Sequence, residues 1–359
     1  MKIIGIIGTH GKTSILFILE SLFSKCNKNV GVIGDLGVRI NRNKLSINAD
    51  HEAIKEMKRN NVEYLIIELH SVSHVENIFF DCIVFSDFNT CGDSLEDLTL
   101  YRNAINNSKS VILNSDSDKS LSVIKGISNL YIITYGLNNK NTVTASTIAI
   151  VQEKIQYNYY LQRGITTMTG KEVDVQEILV ELNLIGYQNI YNTLAAITTG
   201  IIFDLNIEKM ILGLGEINQI PNRLEIKKNK DITLLIDLAK DSYSFKMFFE
   251  TLQYLFYKDL YIVIAIENLE FLSCEATIND FIEDFPLIQG ANICVVGKLT
   301  EKLLDKDSRK LFVEVIIRNK IKFVHYMTFN NYLSDYLPKL NKNDLIVWIG
   351  CRTILKDMF

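Results

Sequence analysis

The chain has 359 residues, 48% hydrophobic and 22% charged, with a formal net charge of −4 and no basic block. That composition supports full globular cores and two domains, and it argues against electrostatic binding to nucleic acid. The six cysteines, Cys26, Cys82, Cys91, Cys274, Cys294 and Cys351, include no C-x-x-C pair, which excludes a zinc ribbon or a disulfide framework as the organising device.

Lys2–Ile7 is an apolar strand, and the chain opens on it rather than on a signal peptide. No apolar run reaches the roughly 18 residues a membrane helix needs. A cytoplasmic protein with buried thiols and no membrane partner is therefore expected. The strand runs into Gly8-Thr9-His10-Gly11-Lys12-Thr13-Ser14, and Thr13–Lys25 follows as an apolar helix. A glycine-rich turn between strand and helix is the context of a phosphate-binding loop: backbone N–H groups close on phosphate oxygens, and the helix points its positive end at them. In that reading Lys12 reaches the β- and γ-phosphates of ATP and Thr13 gives a hydroxyl to Mg²⁺. The strict loop pattern asks for glycine where Ile6 stands, and an ordinary tight turn is the alternative.

Further strands are expected at Val30–Ile33, Tyr64–Glu68, Ile83–Phe85 and Val111–Leu113, with helices at Glu52–Asn60 and Glu96–Asn106. This alternation predicts a doubly wound parallel sheet. Glu68 closes a buried strand, where a carboxylate can hold Mg²⁺ beside a phosphate loop; a helix N-cap or surface acid is the alternative. Thr144–Val151 and Lys154–Leu161 alternate like an antiparallel meander packed on that sheet. Helices return at Gln188–Phe203 and Ile207–Leu214. Pro221 marks a break, giving expected domains of residues 1–220 and 221–359. The second carries strands at Thr233–Asp237, Tyr261–Ile266, Ile293–Val296, Phe323–Val324 and Leu345–Ile349, a smaller Rossmann-like series.

The order of motifs resembles the Mur ligases, ATP-dependent amide-bond-forming enzymes, together with folylpolyglutamate and poly-γ-glutamate synthases. The residues that carry the resemblance are Gly8-Thr9-His10-Gly11-Lys12-Thr13, the strand ending in Glu68, Gly186-Tyr187-Gln188-Asn189-Ile190-Tyr191-Asn192-Thr193-Leu194-Ala195-Ala196, Pro221-Asn222-Arg223-Leu224-Glu225 and Asp237-Leu238-Ala239-Lys240. The resemblance implies an α/β fold: a phosphate-loop domain with a doubly wound parallel sheet and a small antiparallel subsheet, then a Rossmann-like C-terminal domain. It implies ATP and Mg²⁺ as cofactors, with Gly8 to Ser14 around the phosphates and Thr13 and Glu68 on the metal. Asn189 and Asn192 would lie on the adenine side, and Arg223 and Asp237 would face ATP from the second domain. Lys12, Glu68, Arg223 and Asp237 are the expected catalytic residues. The implied reaction joins an amine or amino acid to a carboxylate through an acyl phosphate and releases ADP.

Three departures from the family pattern stand out. The family's N-terminal UDP-sugar domain has no counterpart before Lys2, so a substrate other than a UDP-muramoyl peptide is expected. The histidine for a second Mg²⁺ is replaced by Ser94, and the carbamylated lysine by Ile105. Lys109, His70 and His74 are possible substitutes, the histidines more simply read as surface or loop residues. Lys240 and the segment Glu267-Asn268-Leu269-Glu270 replace the family's acceptor-side residues. A nucleotide-binding protein that has lost ligation is the second reading.

Overall fold

The computed structural model of the chain describes residues 1–47, 49–71, 78–88, 95–128, 130–151, 153–229, 232–239, 241–265, 291–296, 310, 314, 315, 317, 318, 321–326 and 343–350. Ser94, His74, Lys240 and Glu267–Glu270 lie outside them. The chain divides into two compact units, Met1–Asn218 and Gln219–Phe359.

The first unit opens with β1 (Lys2–Ile7), α1 (Lys12–Lys25), β2 (Val30–Ile33), the short hairpin β3 (Val38–Ile40) and β4 (Asn43–Leu45), then α2 (Asp50–Arg59) and β5 (Tyr64–Glu68). It continues through β6 (Phe80–Phe85), α3 (Leu95–Asn106), β7 (Ser108–Asn114), α4 (Asp118–Ile124) and β8 (Tyr131–Tyr135). After these come β9 (Val143–Val151), β10 (Lys154–Leu161), the two-residue strands β11 (Ile165–Thr166) and β12 (Glu172–Val173), β13 (Gln176–Leu182), α5 (Gln188–Ile202) and α6 (Ile207–Gly215).

Among the described residues the main sheet runs β13-β10-β9-β8-β7-β6-β1-β5-β2-β3-β4. From β2 to β9 its neighbours pair parallel. The central strands β1, β2 and β5 are continuous apolar runs because both faces are covered; all five residues of β5 are buried. Helix α1 packs on β1, β2 and β5 and is itself covered by α5 and α6. It is therefore apolar nearly all round, with every residue from Thr13 to Phe23 buried except Phe17.

The antiparallel strands correct one expectation. They do not form a layer packed on the sheet. β9 joins the edge strand β8 through Tyr135 and Val143, and β10 and β13 extend the same sheet outward. Helix α5 lies across them, and the buried hydroxyls of Tyr157 and Tyr159 find partners in Thr193 (2.7 Å) and Thr198 (3.0 Å) of that helix. Alternation along β10 thus buries Ile155, Tyr157, Tyr159 and Leu161 and turns Lys154, Gln156, Asn158 and Tyr160 outward, as a strand covered on one face requires.

Buried charge fixes the other edge. Glu20, in the middle of α1, is paired with Arg39 of β3: Arg39 Nε donates to both carboxylate oxygens at 3.1 Å and an Nη donates at 2.6 Å. Arg42 adds a bond to Ser21 at 2.9 Å. The hairpin is thereby tied to the helix behind the glycine-rich loop.

The second unit contains β14 (Glu225–Asn229), β15 (Ile232–Asp237), α7 (Ser242–Leu252), β16 (Leu260–Ala265), β17 (Asn292–Val296), β18 (Lys322–Tyr326) and β19 (Leu345–Ile349). Its sheet order is β14-β15-β19-β16-β17-β18, parallel except for β14. Helix α7 starts at a capping box, with Ser244 N donating to Asp241 at 2.9 Å. Its buried Phe245, Phe248, Phe249 and Leu252 recur at the helical period. The last described strand, β19, sits between β15 and β16.

Candidate functional site

Parallel pairing sets Ile6 beside Glu68 and Ile33 beside Ile67, so the C-terminal ends of β1, β2 and β5 finish together. Open α/β sheets bind ligands at that end. Three connections meet there: Gly8–Gly11 after β1, Gly34–Gly37 after β2 and Leu69–Ser71 after β5.

The first connection is a tight loop. Gly8 has φ +128° and Gly11 φ +81°, conformations that a side chain resists. A Cβ on Gly8 would also run into the Ser86 hydroxyl and come within 2.6 Å of the Asp87 carbonyl. The loop is held from behind by the segment after β6. Thr9 N donates to Asp87 O at 2.8 Å, and the Ser86 hydroxyl lies 2.6 Å from the His10 carbonyl and 3.0 Å from that of Ile7. The His10 ring faces the buried Asp87 carboxylate at 3.6 Å. Ser86 is steadied in turn: its carbonyl accepts from Asn114 at 2.8 Å and from the Tyr135 hydroxyl at 3.1 Å. Burial, aided by the Asp87 charge, pushes the Tyr135 phenol well up, so it stays a neutral donor. Lys12 folds back and donates to Gly8 O at 2.6 Å. Ser14 is buried in the first turn of α1.

The second feature is a carboxylate cluster at the start of α1. The Glu68 side chain is fully buried, and its Oε2 accepts from the Thr13 hydroxyl at 3.3 Å and from Asp35 N at 3.5 Å. Its Oε1 is buried with no hydrogen-bond partner. A side chain on Gly34 would collide with that carboxylate, its Cβ 2.7 Å from Oε1. Asp35 Oδ2 lies 3.5 Å from the Thr13 hydroxyl. His70 Nε2 lies 3.4 Å from Asp35 Oδ1 and 3.4 Å from Glu68 Oε2. Asp35 was not anticipated from the sequence; only the turn Gly34-Asp35-Leu36-Gly37 beside a parallel strand could have signalled it. His70 was anticipated as a possible imidazole, and it does reach Glu68. An unsatisfied buried carboxylate beside a threonine hydroxyl fits a divalent cation, and the glycine-rich loop beside it fits the phosphates such an ion accompanies.

The asparagines of α5, expected on the adenine side, both make contacts within the protein. Asn189 is buried and donates to Ile185 O at 2.7 Å, while its Oδ1 accepts from Asn192 at 3.1 Å. Asn192 Oδ1 lies against Gly11, 2.7 Å from where a Cβ would stand. Both amides are therefore engaged with protein, and Asn192 supports the loop. Asn192→Ala is expected to weaken ATP and inorganic triphosphate to the same degree, measured by competition against a fluorescent nucleotide. Selective loss of ATP would restore an adenine contact.

Ile105 is fully buried in an apolar cluster that includes Phe85, Phe88, Tyr101 and Ala104, and Lys109 is paired with Asp81 at 2.7 Å. Neither offers a metal ligand.

In the second unit Leu224 N donates to Asp237 Oδ2 at 2.9 Å, from a residue with φ +47°. Asp237 keeps some exposed surface, yet burial pushes its carboxyl up to about 6, opposed by the Arg223 charge and by the N–H groups of Leu224, Ala239 and Leu238. A carboxyl raised on folding contributes stability that is complete below about pH 4 and lost as pH rises through about 6. Asp237→Asn should flatten that dependence. The urea midpoint of the wild type relative to the variant should fall between pH 4.5 and 7; a constant difference would contradict it.

Residues 6–200 match the family pattern described as the Mur ligase middle domain. A UDP-N-acetylmuramoyl-L-alanyl-D-glutamate--2,6-diaminopimelate ligase of Bacillus velezensis is 25% identical over 265 residues, covering 67% of this chain and 51% of that protein. The chain thus spans about half the length of the curated relatives it matches. Among solved structures, the UDP-N-acetylmuramoylalanyl-D-glutamyl-2,6-diaminopimelate--D-alanyl-D-alanyl ligase of Acinetobacter baumannii superposes with a TM-score of 0.73 at 14% identity, covering 99% of this chain and 74% of that one. Folylpolyglutamate synthase of Mycobacterium tuberculosis, solved with ADP and AMPPCP, gives a TM-score of 0.70 at 13% identity, over 97% and 88%. The matched stretch is more than half of the chain and contains the glycine-rich loop, Glu68 and the start of α5. The chain belongs to the Mur ligase family.

Proposed function

We propose that this protein is an ATP-dependent, ADP-forming ligase that joins an amine or amino acid to a carboxylate. The observation that carries the reading is the meeting of Gly8–Gly11, Lys12 and Thr13 with the buried, unsatisfied Glu68 at one end of the sheet. Glycine backbone and Lys12 hold phosphate oxygens. Thr13 and Glu68 would hold Mg²⁺, which when bound would supply charge neutralisation at the γ-phosphate. The carboxylate oxygen forms its bond to the γ-phosphorus as the bond to ADP breaks, and the amine then displaces phosphate from the acyl group. Arg223 and Asp237 are assigned to the same reaction, and the substrate is taken to be a carboxylate other than a UDP-muramoyl peptide.

The test is ADP release against pooled carboxylates and amino acids, UDP-muramoyl peptides included, with mass spectrometry of the products. ADP formation that requires both a carboxylate and an amine, with an amide product, is expected. Pyrophosphate and an adenylated acid would defeat the acyl-phosphate route. A second reading, nucleotide binding without ligation, is favoured by one observation: Ile105 is sealed in the core where the family resemblance implies a carbamylated lysine. Saturable ATP binding with no ADP release against any pair would select it.

A further inference from the structure

The cluster around Glu68 holds more ligand atoms than a magnesium ion on a nucleotide needs. A Thr13 hydroxyl and one carboxylate suffice for Mg²⁺, which keeps several waters and takes its remaining ligands from phosphate. Here a second carboxylate and an imidazole are added. One ligand atom from each of Asp35, Glu68 and His70 lies within 4.8 Å of the other two. From these observations we infer that Asp35, Glu68 and His70 form a binding site for a first-row divalent transition ion, Mn²⁺ or Zn²⁺ in class, that fills without nucleotide. The inference shares Thr13 and Glu68 with the proposed nucleotide site but needs neither ATP nor ligation.

Four features support it. His70 Nε2 stands 3.4 Å from both Asp35 Oδ1 and Glu68 Oε2. Ligand atoms bound at roughly 2.1 Å in a tetrahedral arrangement are about 3.4 Å apart, which matches both His70 distances, and the three ligand atoms all lie within 4.8 Å of one another. Second, Glu68 is wholly buried and its Oε1 has no hydrogen-bond partner. A buried carboxylate left half-satisfied is costly unless a cation accompanies it. Third, Asp35 and His70 are 52% and 40% exposed, so the cluster is closed on the Glu68 side and open to solvent on the other, which gives an ion its path in. Fourth, the donor set sorts the metals. Magnesium is a hard ion that prefers oxygen; imidazole nitrogen suits manganese less than zinc, but either better than magnesium. A protonated His70 bridging two carboxylates is the competing arrangement. It leaves the cluster with an excess negative charge.

The three ligands come from two connections, Asp35 from the turn after β2 and Glu68 with His70 from the end of β5. A bound ion therefore clamps the ends of two adjacent parallel strands next to Thr13. Coordination positions not taken by protein remain for water.

The experiment is a Mn²⁺ titration of the full chain, stripped with chelator, at pH 7.5 without nucleotide. Free Mn²⁺ is followed by its electron paramagnetic resonance signal, and Mg²⁺ and Zn²⁺ are run as competitors. One Mn²⁺ per chain is expected, bound at least tenfold tighter than Mg²⁺, with Zn²⁺ displacing it. His70→Ala should weaken Mn²⁺ at least tenfold and leave Mg²⁺ within twofold, whereas Asp35→Asn should weaken both. Electron spin-echo modulation from a directly bound imidazole nitrogen should be present in the wild type, a readout that needs no variant to fold. Absence of that modulation, no saturable Mn²⁺ binding below 1 mM, or equal Mn²⁺ affinity in folded His70→Ala would each overturn the inference. A nucleotide titration of the same samples separates the two readings: Mn²⁺ binding without ATP binding defeats the ligase proposal alone, and ATP binding without the nitrogen signal defeats the metal site alone.

Discussion

Replacing Lys12 by alanine is expected to abolish most of the thermal protection that Mg·ATP gives the wild-type protein. A ligand that binds only the native state stabilises by about 2.7 kcal/mol at a hundredfold excess over Kd. For a unit of this size that corresponds to roughly 5–10 °C in melting temperature. Lys12 is the one cation the loop itself supplies, and in the structure it donates to the Gly8 carbonyl at 2.6 Å, within the loop that would receive the phosphates. Its loss should hardly change the melting temperature without nucleotide, because a partly buried bond to a carbonyl adds only about 1 kcal/mol. The measurement is a melting series in millimolar Mg·ATP for both proteins. A wild type that gains nothing sinks the nucleotide reading, and a variant that gains as much as the wild type removes Lys12 from the site.

The second large effect concerns the buried ion pair between Arg39 and Glu20. Arg39→Met should destabilise the first unit by about 3–5 kcal/mol, since it strands the Glu20 carboxylate inside α1. The two side chains are only 11% and 4% exposed, and three N–H contacts of Arg39 to that carboxylate leave it no other described partner. Substituting both, Glu20→Leu with Arg39→Met, should recover most of the loss, because matched apolar groups avoid the desolvation of a charge. Urea unfolding of the three proteins decides it. A single variant that loses less than about 1 kcal/mol would mean water or a neighbouring cation reaches Glu20.

The glycine-rich loop and its flanks were legible because every signal there is local: the apolar strand, the glycines and the helix that follows lie within 25 residues. The parallel series was legible for the same reason, as alternating short runs. Whether the strands from Val143 onward lay on the sheet or continued it was not, because alternation specifies one covered face and not what covers it. It was settled by the pairing of Tyr135 with Val143 and by α5 crossing above. Asp35 was invisible for another reason. It is 33 residues from Glu68, and only the register of β2 against β5 brings the two together. The pairing of Glu20 with Arg39 was not anticipated, because it joins a helix to a short hairpin strand that the sequence did not signal. Ile105 was read as a lost metal ligand from a resemblance; in the structure it is fully buried in the apolar core that also holds Phe85, Phe88 and Tyr101.

The placement of β19 sets a timetable for the ribosome. Its residues fill the middle of the second sheet, with Asp237 beside Ile349 on one flank and Ile264 on the other. During synthesis β15 and β16 emerge as strands with a gap between them, their facing edges unpaired until residue 345 and its successors leave the exit tunnel. The first unit can fold while this wait lasts, since all of its strand pairings among the described residues lie within residues 1–218. The second cannot, and unpaired parallel edges are slow to close and prone to capture by other chains. A premature stop shortly before residue 345 should therefore yield a soluble first unit carrying an aggregation-prone tail, rather than a protein weakened evenly throughout.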